Sequence, residues 1–339
     1  MIRTIVSEEL PVGEKFEIRK NIIAGGASEK RFCVVTGTHG DELEGQYVCF
    51  ELARRLNSHR LLNSHRLPNG IDCLNGTVEL YPALNPLGVD SITRGFPGFD
   101  LDMNRIFPGE VNGHLIENTA YKIVQDLRGA DMVLDIHSSN IFLQEVMQVR
   151  VNVQNAQMLV PFAKMLNTDF IWIHDAVTVL QSTLAHSLNA IGTKTLVVEM
   201  GIGMRITREY GDRLVDGIFT MLASLGMWTG ETPAGVSEPI VSSDGEVFFM
   251  NAETSGIIIP EVSHSSYIKK GERLCRIVEP FEGKVLQDVL SPVDGFLFTM
   301  RTFPIVYEGS LIARIYKHGV PQNAPLCSPH SSQDARLKK

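Results

Sequence analysis

The chain has 339 residues, of which 44% are hydrophobic and 21% are charged, as is ordinary for a globular protein with one large and one smaller domain. Its formal net charge of −8 argues against nucleic acid and anionic membranes as partners, and no uncharged apolar run reaches the roughly 18 residues of a membrane span. The N-terminal segment lacks the apolar core of a secretory signal and the five cysteines form no CxxC pair, so we expect a cytoplasmic location.

The first part of the chain alternates short apolar runs with helical patterns. Runs rich in β-branched and aromatic residues predict strands at Phe32–Thr36, Val78–Tyr81, Met132–Ile136, Phe170–Ile173 and Leu196–Met200. Helical periodicity predicts helices at Glu42–Leu56, Glu117–Leu127, Ala156–Leu166, Thr183–Ala190 and Arg208–Leu225. This alternation predicts an α/β fold with a mainly parallel or mixed sheet that helices flank on both faces.

The pattern changes near Pro233, after which glycine and proline separate short apolar segments. These segments predict strands at Gly245–Met250, Gly256–Pro260, Leu274–Val278, Lys284–Val289 and Phe296–Met300. We therefore predict an α/β domain at residues 1–233 and an all-β, barrel- or sandwich-like domain at residues 234–318. The polar segment 319–339, rich in proline and serine, is predicted to be a disordered tail.

Candidate metal ligands stand where two predicted strands end. His39 and Glu42 follow the first strand in a glycine-flanked turn, and His137 follows Asp135 and Ile136 at the end of another strand. In open α/β sheets, binding sites lie at the carboxyl ends of the strands, so these side chains are expected to lie close together. Two imidazoles and one carboxylate with an open fourth position are the usual ligands of a catalytic zinc. Taken singly, Glu42 could favour a helix start and His137 could be a core histidine. Asp135 could be a hydrogen-bond partner behind a ligand or a strand-end cap.

Two further segments carry polar side chains to the same region. Glu199 ends an apolar strand, where burial near a metal could tune a carboxylate for proton transfer. The alternative is that Glu199 forms an ion pair with Arg205 or Arg208 at the sheet edge. Asn104 and Arg105 lie between Asn85 and Gly109, a long stretch with little regular pattern, and long irregular loops are usually functional. The pair can hold a carboxylate in a bidentate way, with the guanidinium expected to be buried.

Four segments together resemble the succinylglutamate desuccinylase/aspartoacylase family of zinc deacylases, part of the zinc carboxypeptidase superfamily: GTHGDELEG, DLDMNRIFPG, DIHSS and VVEMG. The resemblance extends from Arg31 to about Leu225, and the all-β region after it is like one found in that family. It implies one zinc per chain, bound by His39, Glu42 and His137.

The resemblance also assigns roles around the metal. It implies that Glu199 is the general base and acid, that Asn104 and Arg105 hold a substrate carboxylate, and that Arg94 polarises the scissile carbonyl. The chain departs from the family pattern in two ways. It has Asp41 where the first motif often has asparagine, and the stretch from Arg94 to Asn104 is longer than in the aspartoacylase pattern.

The leading prediction is a zinc hydrolase that cleaves the amide bond of a small, carboxylate-bearing N-acyl amino acid. The alternative is a metallocarboxypeptidase that acts on a small peptide and uses the same residues. A metal-binding or scaffolding protein with a degenerate site is a third interpretation, which the retention of the whole residue set disfavours. The all-β domain is expected to act as a lid or an oligomerisation module, which is compatible with a homo-oligomer.

Overall fold

A computed structural model of the chain describes residues 1–64, 73–175 and 181–317. The predicted disordered tail, 319–339, lies outside these residues. The described α-helices are α1 (Glu44–Ser64), α2 (Pro86–Ser91), α3 (Leu115–Leu127), α4 (Ala156–Ala163), α5 (Leu184–Ala190) and α6 (Arg208–Ser224). In this part of the chain, no helix combines the length and the apolar composition that crossing a membrane would require.

The described chain forms two compact units, and the first comprises Met1–Asn140 with Met147–Val241. Its strands are β1 (Ile2–Glu9), β2 (Lys15–Gly25), β3 (Arg31–Thr36), β4 (Gly76–Tyr81), β5 (Met132–Ser138), the later part of β6 (Leu143–Asn152), β7 (Phe170–His174), β8 (Thr195–Gly201) and the start of β9 (Ile240–Ser243). They lie in the order β1-β2-β4-β3-β5-β8-β6, with β7 beside β6 and β9 beside β7. Strands β4, β3, β5 and β8 are mutually parallel and β1 and β2 are antiparallel, so the sheet is mixed.

Helices cover both faces of this sheet, as predicted. Alternate residues of β3 show why, because successive side chains of a strand point to opposite faces. Phe32 and Val34 pack in one buried cluster with residues of α1, α4 and α6. Cys33 and Val35 pack in a second cluster with residues of α3 and α5. The predicted α/β fold class is therefore confirmed.

The unpredicted strands of the first unit include three that contain charged residues. Strands β1, β2 and β6 were not predicted, and β2 buries Phe16, Ile18 and Lys20 on one face. A buried lysine at an alternating position hides the period of two that would reveal the strand. The expectation of little regular structure between Asn85 and Gly109 was partly wrong, because α2 and a 3-10 turn at Met103–Arg105 lie there.

Lys20 is the centre of a buried polar network between the sheet and α3. Its Nζ lies 3.0 Å from Glu79 Oε2, 2.7 Å from Asp126 Oδ2 and 3.1 Å from Tyr81 Oη. Arg31 Nη2 donates to the same Glu79 oxygen at 2.9 Å. Burial alone would raise the pKa of Glu79, but the hydrogen bonds from its partners outweigh burial and lower it to about 2. The network therefore holds Glu79 ionised in the interior.

We expect Lys20→Met to destabilise the protein by about 3–5 kcal/mol at pH 7, because it leaves buried carboxylates without a counter-charge. Urea unfolding measures the change. Lys122→Met is the matched control, since Lys122 pairs with Glu8 at the surface and should cost no more than about 1 kcal/mol. The folded pKa of Glu79 is depressed, so its contribution is present above about pH 4.5 and is lost as the pH falls towards 2. Equal losses in the two variants would contradict this account.

The second compact unit comprises Ile141–Val146 and the described chain from Ser242 onwards. Its strands after β9 are β10 (Val247–Asn251), β11 (Gly256–Pro260), β12 (Ser266–Ile268), β13 (Arg273–Glu279), β14 (Lys284–Leu290), β15 (Gly295–Arg301), β16 (Ile305–Val306) and β17 (Leu311–Lys317). Strands β12, β15, β17 and β10 are neighbours in one sheet, in that order. Strands β14, β13, β11 and β16 form another sheet, in that order. Each predicted strand of this region is present, whereas β9, β12, β16 and β17 were not predicted. The predicted domain boundary at residue 233 stays a prediction.

Candidate active site

His39, Glu42 and His137 form a buried cluster at the carboxyl ends of β3 and β5. His39 Nδ1 lies 2.7 Å from Glu42 Oε1, and His137 Nδ1 lies 2.9 Å from Glu42 Oε2. Each residue offers one potential ligand atom, and these atoms all lie within 4.8 Å of one another. The structure thus brings together the three side chains that the sequence predicted as metal ligands.

The turn that carries His39 and Glu42 depends on a close approach between two backbones. Gly40 packs against Gly88 of α2, and a Cβ added at Gly40 would lie 1.9 Å from the Gly88 carbonyl carbon. Gly40 N also donates to Thr93 O at 3.0 Å. No side chain fits at this position, so a glycine lets the turn aim both His39 and Glu42 at one point.

A carboxylate lies against the second nitrogen of each imidazole. His39 Nε2 is 3.0 Å from Asp102 Oδ1, and His137 Nε2 is 3.2 Å from Asp135 Oδ1. Metal-binding histidines almost always have such a partner, which sets the tautomer and the ring orientation. From the sequence, Asp135 was expected to be either such a partner or a strand-end cap. Asp102 was missed, although it lies two residues before Asn104. The donor set therefore fits a divalent cation, with Nδ1 of each histidine directed inwards.

The electrostatics of the cluster are those of a cation site. Burial alone would raise the pKa of Glu42, but the charges of His39 and His137 outweigh burial and hold it well below its usual range. Burial alone would lower the pKa of both histidines, and the neighbouring carboxylates raise it instead: Glu42 and Asp102 for His39, and Asp135 and Glu42 for His137. Carboxylates that favour protonated imidazoles also favour a divalent cation held between neutral imidazoles.

Arg94 lies at the edge of this cluster. Its Nη1 is 3.0 Å from Glu42 Oε1 and its Nη2 is 3.4 Å from Asp102 Oδ2. One guanidinium thus contacts a candidate ligand and the carboxylate behind His39. The longer stretch between Arg94 and Asn104 has not carried Arg94 away from the site.

Asn104 and Arg105 differ in their surroundings. Asn104 is buried, and its Oδ1 accepts a hydrogen bond from Leu184 N at 2.9 Å, at the start of α5. Arg105 is exposed, and its Nη1 donates to Asn104 O at 2.8 Å. The expectation of a buried guanidinium was therefore wrong. The 3-10 turn explains this, because it directs Met103 and Asn104 inwards and the next side chain outwards.

Glu199 on β8 is the register partner of His137 on β5. Neighbouring residues of a parallel pair share one face of the sheet, so Glu199 follows the metal cluster along that face. An arginine other than the two suggested from the sequence lies against this carboxylate. Glu199 Oε1 lies 3.2 Å from Nη1 of Arg150 on β6, while Arg205 donates to Met204 O and Arg208 lies near Asp212.

Glu44 connects the candidate ligand loop with the segment after Glu199. Its buried carboxylate accepts a hydrogen bond from Thr207 N at 2.7 Å, and its own backbone N donates to Ser138 Oγ at 3.4 Å. A Cβ added at Gly201, whose φ is +66°, would lie 2.0 Å from Glu44 Oε1. Burial raises the pKa of Glu44. No sequence signal distinguished Glu44 from an ordinary acidic residue in the first turn of a helix.

Solved structures share this fold. One is the product-bound ectoine utilization protein EutE (DoeB) of Ruegeria pomeroyi, with 19% identity, coverage of 92% of this chain and 93% of that chain, and a TM-score of 0.73. A succinylglutamate desuccinylase/aspartoacylase of Rhodobacter sphaeroides has 20% identity, coverage of 93% and 95%, and a TM-score of 0.74. An aspartoacylase family protein of Mesorhizobium loti has 17% identity, coverage of 94% and 95%, and a TM-score of 0.71.

The sequence itself assigns the family. Residues 28–225 match the succinylglutamate desuccinylase/aspartoacylase catalytic domain. The chain therefore belongs to this family of deacylases, and the resemblance predicted from the four motifs is confirmed. No curated protein matches the sequence.

Proposed function

We propose that this protein is a zinc-dependent deacylase that hydrolyses the amide bond of a small, carboxylate-bearing N-acyl amino acid. The observation that carries the proposal is the buried cluster of His39, Glu42 and His137, in which a carboxylate also lies against the second nitrogen of each imidazole. This donor set occurs in a chain of a deacylase family. Membership of the family does not by itself identify the metal or the substrate. The cluster supports zinc because imidazole and carboxylate groups are the common ligands of catalytic zinc.

His39, Glu42 and His137 would hold one zinc ion per chain. When bound, zinc supplies Lewis acidity, which lowers the pKa of water and polarises a carbonyl group. Asp102 and Asp135 would keep both imidazole rings oriented towards the metal through their 3.0 Å and 3.2 Å contacts.

Glu199 is the group proposed to move protons. Its carboxylate would accept a proton from the attacking water and deliver it to the departing amine, which makes it base and then acid. Arg94 would face the carbonyl oxygen as negative charge develops there, and its contacts with Glu42 and Asp102 keep the guanidinium beside the cluster.

Asn104 and Arg105 are proposed to bind the substrate carboxylate. The guanidinium of Arg105 is exposed, so an anion can bind to it directly from solvent. Its planar donors match the two oxygens of a carboxylate. The ectoine utilization protein EutE (DoeB) of Ruegeria pomeroyi has a product bound in its structure. The exposed guanidinium supports a small anionic substrate.

A substrate screen tests the proposal directly. The purified, zinc-loaded protein would be assayed with N-acetyl and N-succinyl amino acids, with their carboxamide analogues, and with unblocked dipeptides. We expect release of free amine from at least one N-acyl amino acid and little from its carboxamide. Activity confined to the dipeptides would support the metallocarboxypeptidase alternative. No turnover of any compound by fully zinc-loaded protein would contradict the proposed activity.

We expect Arg105→Ala to lower kcat/KM by roughly 10- to 100-fold, mainly through KM, because it removes a charged hydrogen bond to the substrate. This is less than a buried guanidinium would contribute, since Arg105 is exposed. Arg105→Lys should recover little, because an ammonium group lacks the planar fork. Arg54→Ala on α1 is the control, since Arg54 is exposed and pairs with Glu51. Equal activity of wild type on a free acid and its amide would refute the carboxylate-binding role.

A further inference from the structure

Four neighbouring strands contribute side chains to one row across the sheet. His137 of β5 and Glu199 of β8 are register partners, and Arg150 of β6 and Trp172 of β7 are register partners as well. The two pairs meet where Arg150 Nη1 lies 3.2 Å from Glu199 Oε1. The guanidinium carbon of Arg150 also lies 5.7 Å from the centre of a Trp172 ring. The row therefore leads from the metal cluster through Glu199 to an arginine that stacks on a tryptophan.

The ion pair adds little to the architecture of the fold. Arg150 and Glu199 belong to β6 and β8, which are already neighbours in the sheet, so the pair joins no elements that are otherwise apart. A comparison is the pair of Arg213 and Asp169, 2.7 Å apart, which connects α6 to the residue before β7. The two arginine side chains are similarly exposed, at 27% and 26%. Only the first pair includes a residue of the candidate active site.

Arginine suits the task of orienting a carboxylate. Its planar guanidinium stacks on aromatic rings and presents its donors in a rigid fork, so less freedom is lost when it binds one oxygen. When an arginine binds one oxygen of a carboxylate, the orientation of the other oxygen is also fixed. In Glu199 this second oxygen belongs to a residue that lies beside His137 in register. Proton transfer requires such a fixed direction, because a base must lie within hydrogen-bond reach of the proton that it takes.

We propose that Arg150, stacked on Trp172, is a positioning residue that holds the Glu199 carboxylate in its working orientation. This inference rests on the proposed function, in which Glu199 transfers protons. Arg150 acts through Glu199 and contributes no direct contact to the substrate. Its loss therefore lowers turnover and leaves substrate binding nearly unchanged.

A double-mutant cycle tests the inference in the zinc-loaded protein. Arg150→Met keeps the length and the apolar contact with Trp172 but removes the ion pair. We expect it to lower kcat by roughly 10- to 100-fold and to change KM by less than about 3-fold, as for two residues that act as one unit. In the Glu199→Gln background, the same substitution should lower kcat by less than about 3-fold. Arg213→Met is the matched control and should leave kcat and KM at the wild-type values.

The outcomes separate this inference from the function on which it rests. Equal losses from Arg150→Met in the wild-type and Glu199→Gln backgrounds would overturn the positioning role alone. A raised KM with unchanged kcat would also overturn it, in favour of direct substrate binding. Near-wild-type turnover by Glu199→Gln would overturn both the proposed role of Glu199 and this inference. If Arg150→Met does not fold, Arg150→Gln replaces it in the cycle: lower kcat at constant KM supports the inference, and wild-type kcat overturns it.

Discussion

His137→Ala is expected to remove zinc from the protein and to abolish nearly all deacylase activity. The substitution deletes one of three candidate ligand side chains and leaves Glu42 and Asp135 buried without the imidazole that contacts both. Replacing even an outer partner of a ligand typically weakens metal binding by about 10- to 100-fold, and loss of a ligand should exceed that. The zinc content of the purified variant measures the effect, with circular dichroism to verify that the variant is folded.

His174→Ala is the control for this experiment. His174 also ends a parallel strand of the same sheet, β7, but its Nδ1 is 3.1 Å from the backbone oxygen of Asp175 and it is not part of the cluster. We expect this variant to keep one zinc per chain. Full zinc occupancy in His137→Ala would refute the assignment of the ligand set, whatever the activity of the variant.

Glu199→Gln is expected to keep the zinc and the fold but to lower kcat by roughly 10²–10⁴-fold, the usual contribution of a general acid-base group. Glutamine has nearly the same shape as glutamate and can still hydrogen-bond, but its neutral amide cannot accept the proton of the attacking water. Because Glu199 lies beside His137 in register without being a candidate ligand, metal content and turnover should separate in this variant.

Asp169→Asn provides the matched comparison, since Asp169 is another carboxylate of the first compact unit that pairs with an arginine, Arg213. It should keep wild-type kcat. A Glu199→Gln variant with near-wild-type kcat and full zinc content would mean that another group transfers the proton. Loss of zinc from Glu199→Gln would instead assign Glu199 to the metal site.

The local pattern of the sequence determined much of the fold and part of the candidate site. An unbroken apolar run such as Phe32–Val35 predicts a strand buried on both faces, and the structure divides its residues between two core clusters. His39 and Glu42 lie in one turn, so their proximity follows from local geometry. The position of His137 could be inferred because parallel strands bring their carboxyl ends to one edge.

Only the tertiary structure decided which distant charged residues meet. Asp102 contacts a histidine 63 positions earlier, and Glu44 accepts a hydrogen bond from an amide 163 positions later. Arg150, which contacts Glu199, lies on β6, a strand that was not predicted because polar and charged residues interrupt its apolar pattern. The physical reason is that the residue type of a charged side chain is the same whether the side chain is buried in an ion pair or exposed to solvent. Hydrophobic periodicity records which face of an element is buried, whereas the partner of a charged side chain depends on how separate elements pack.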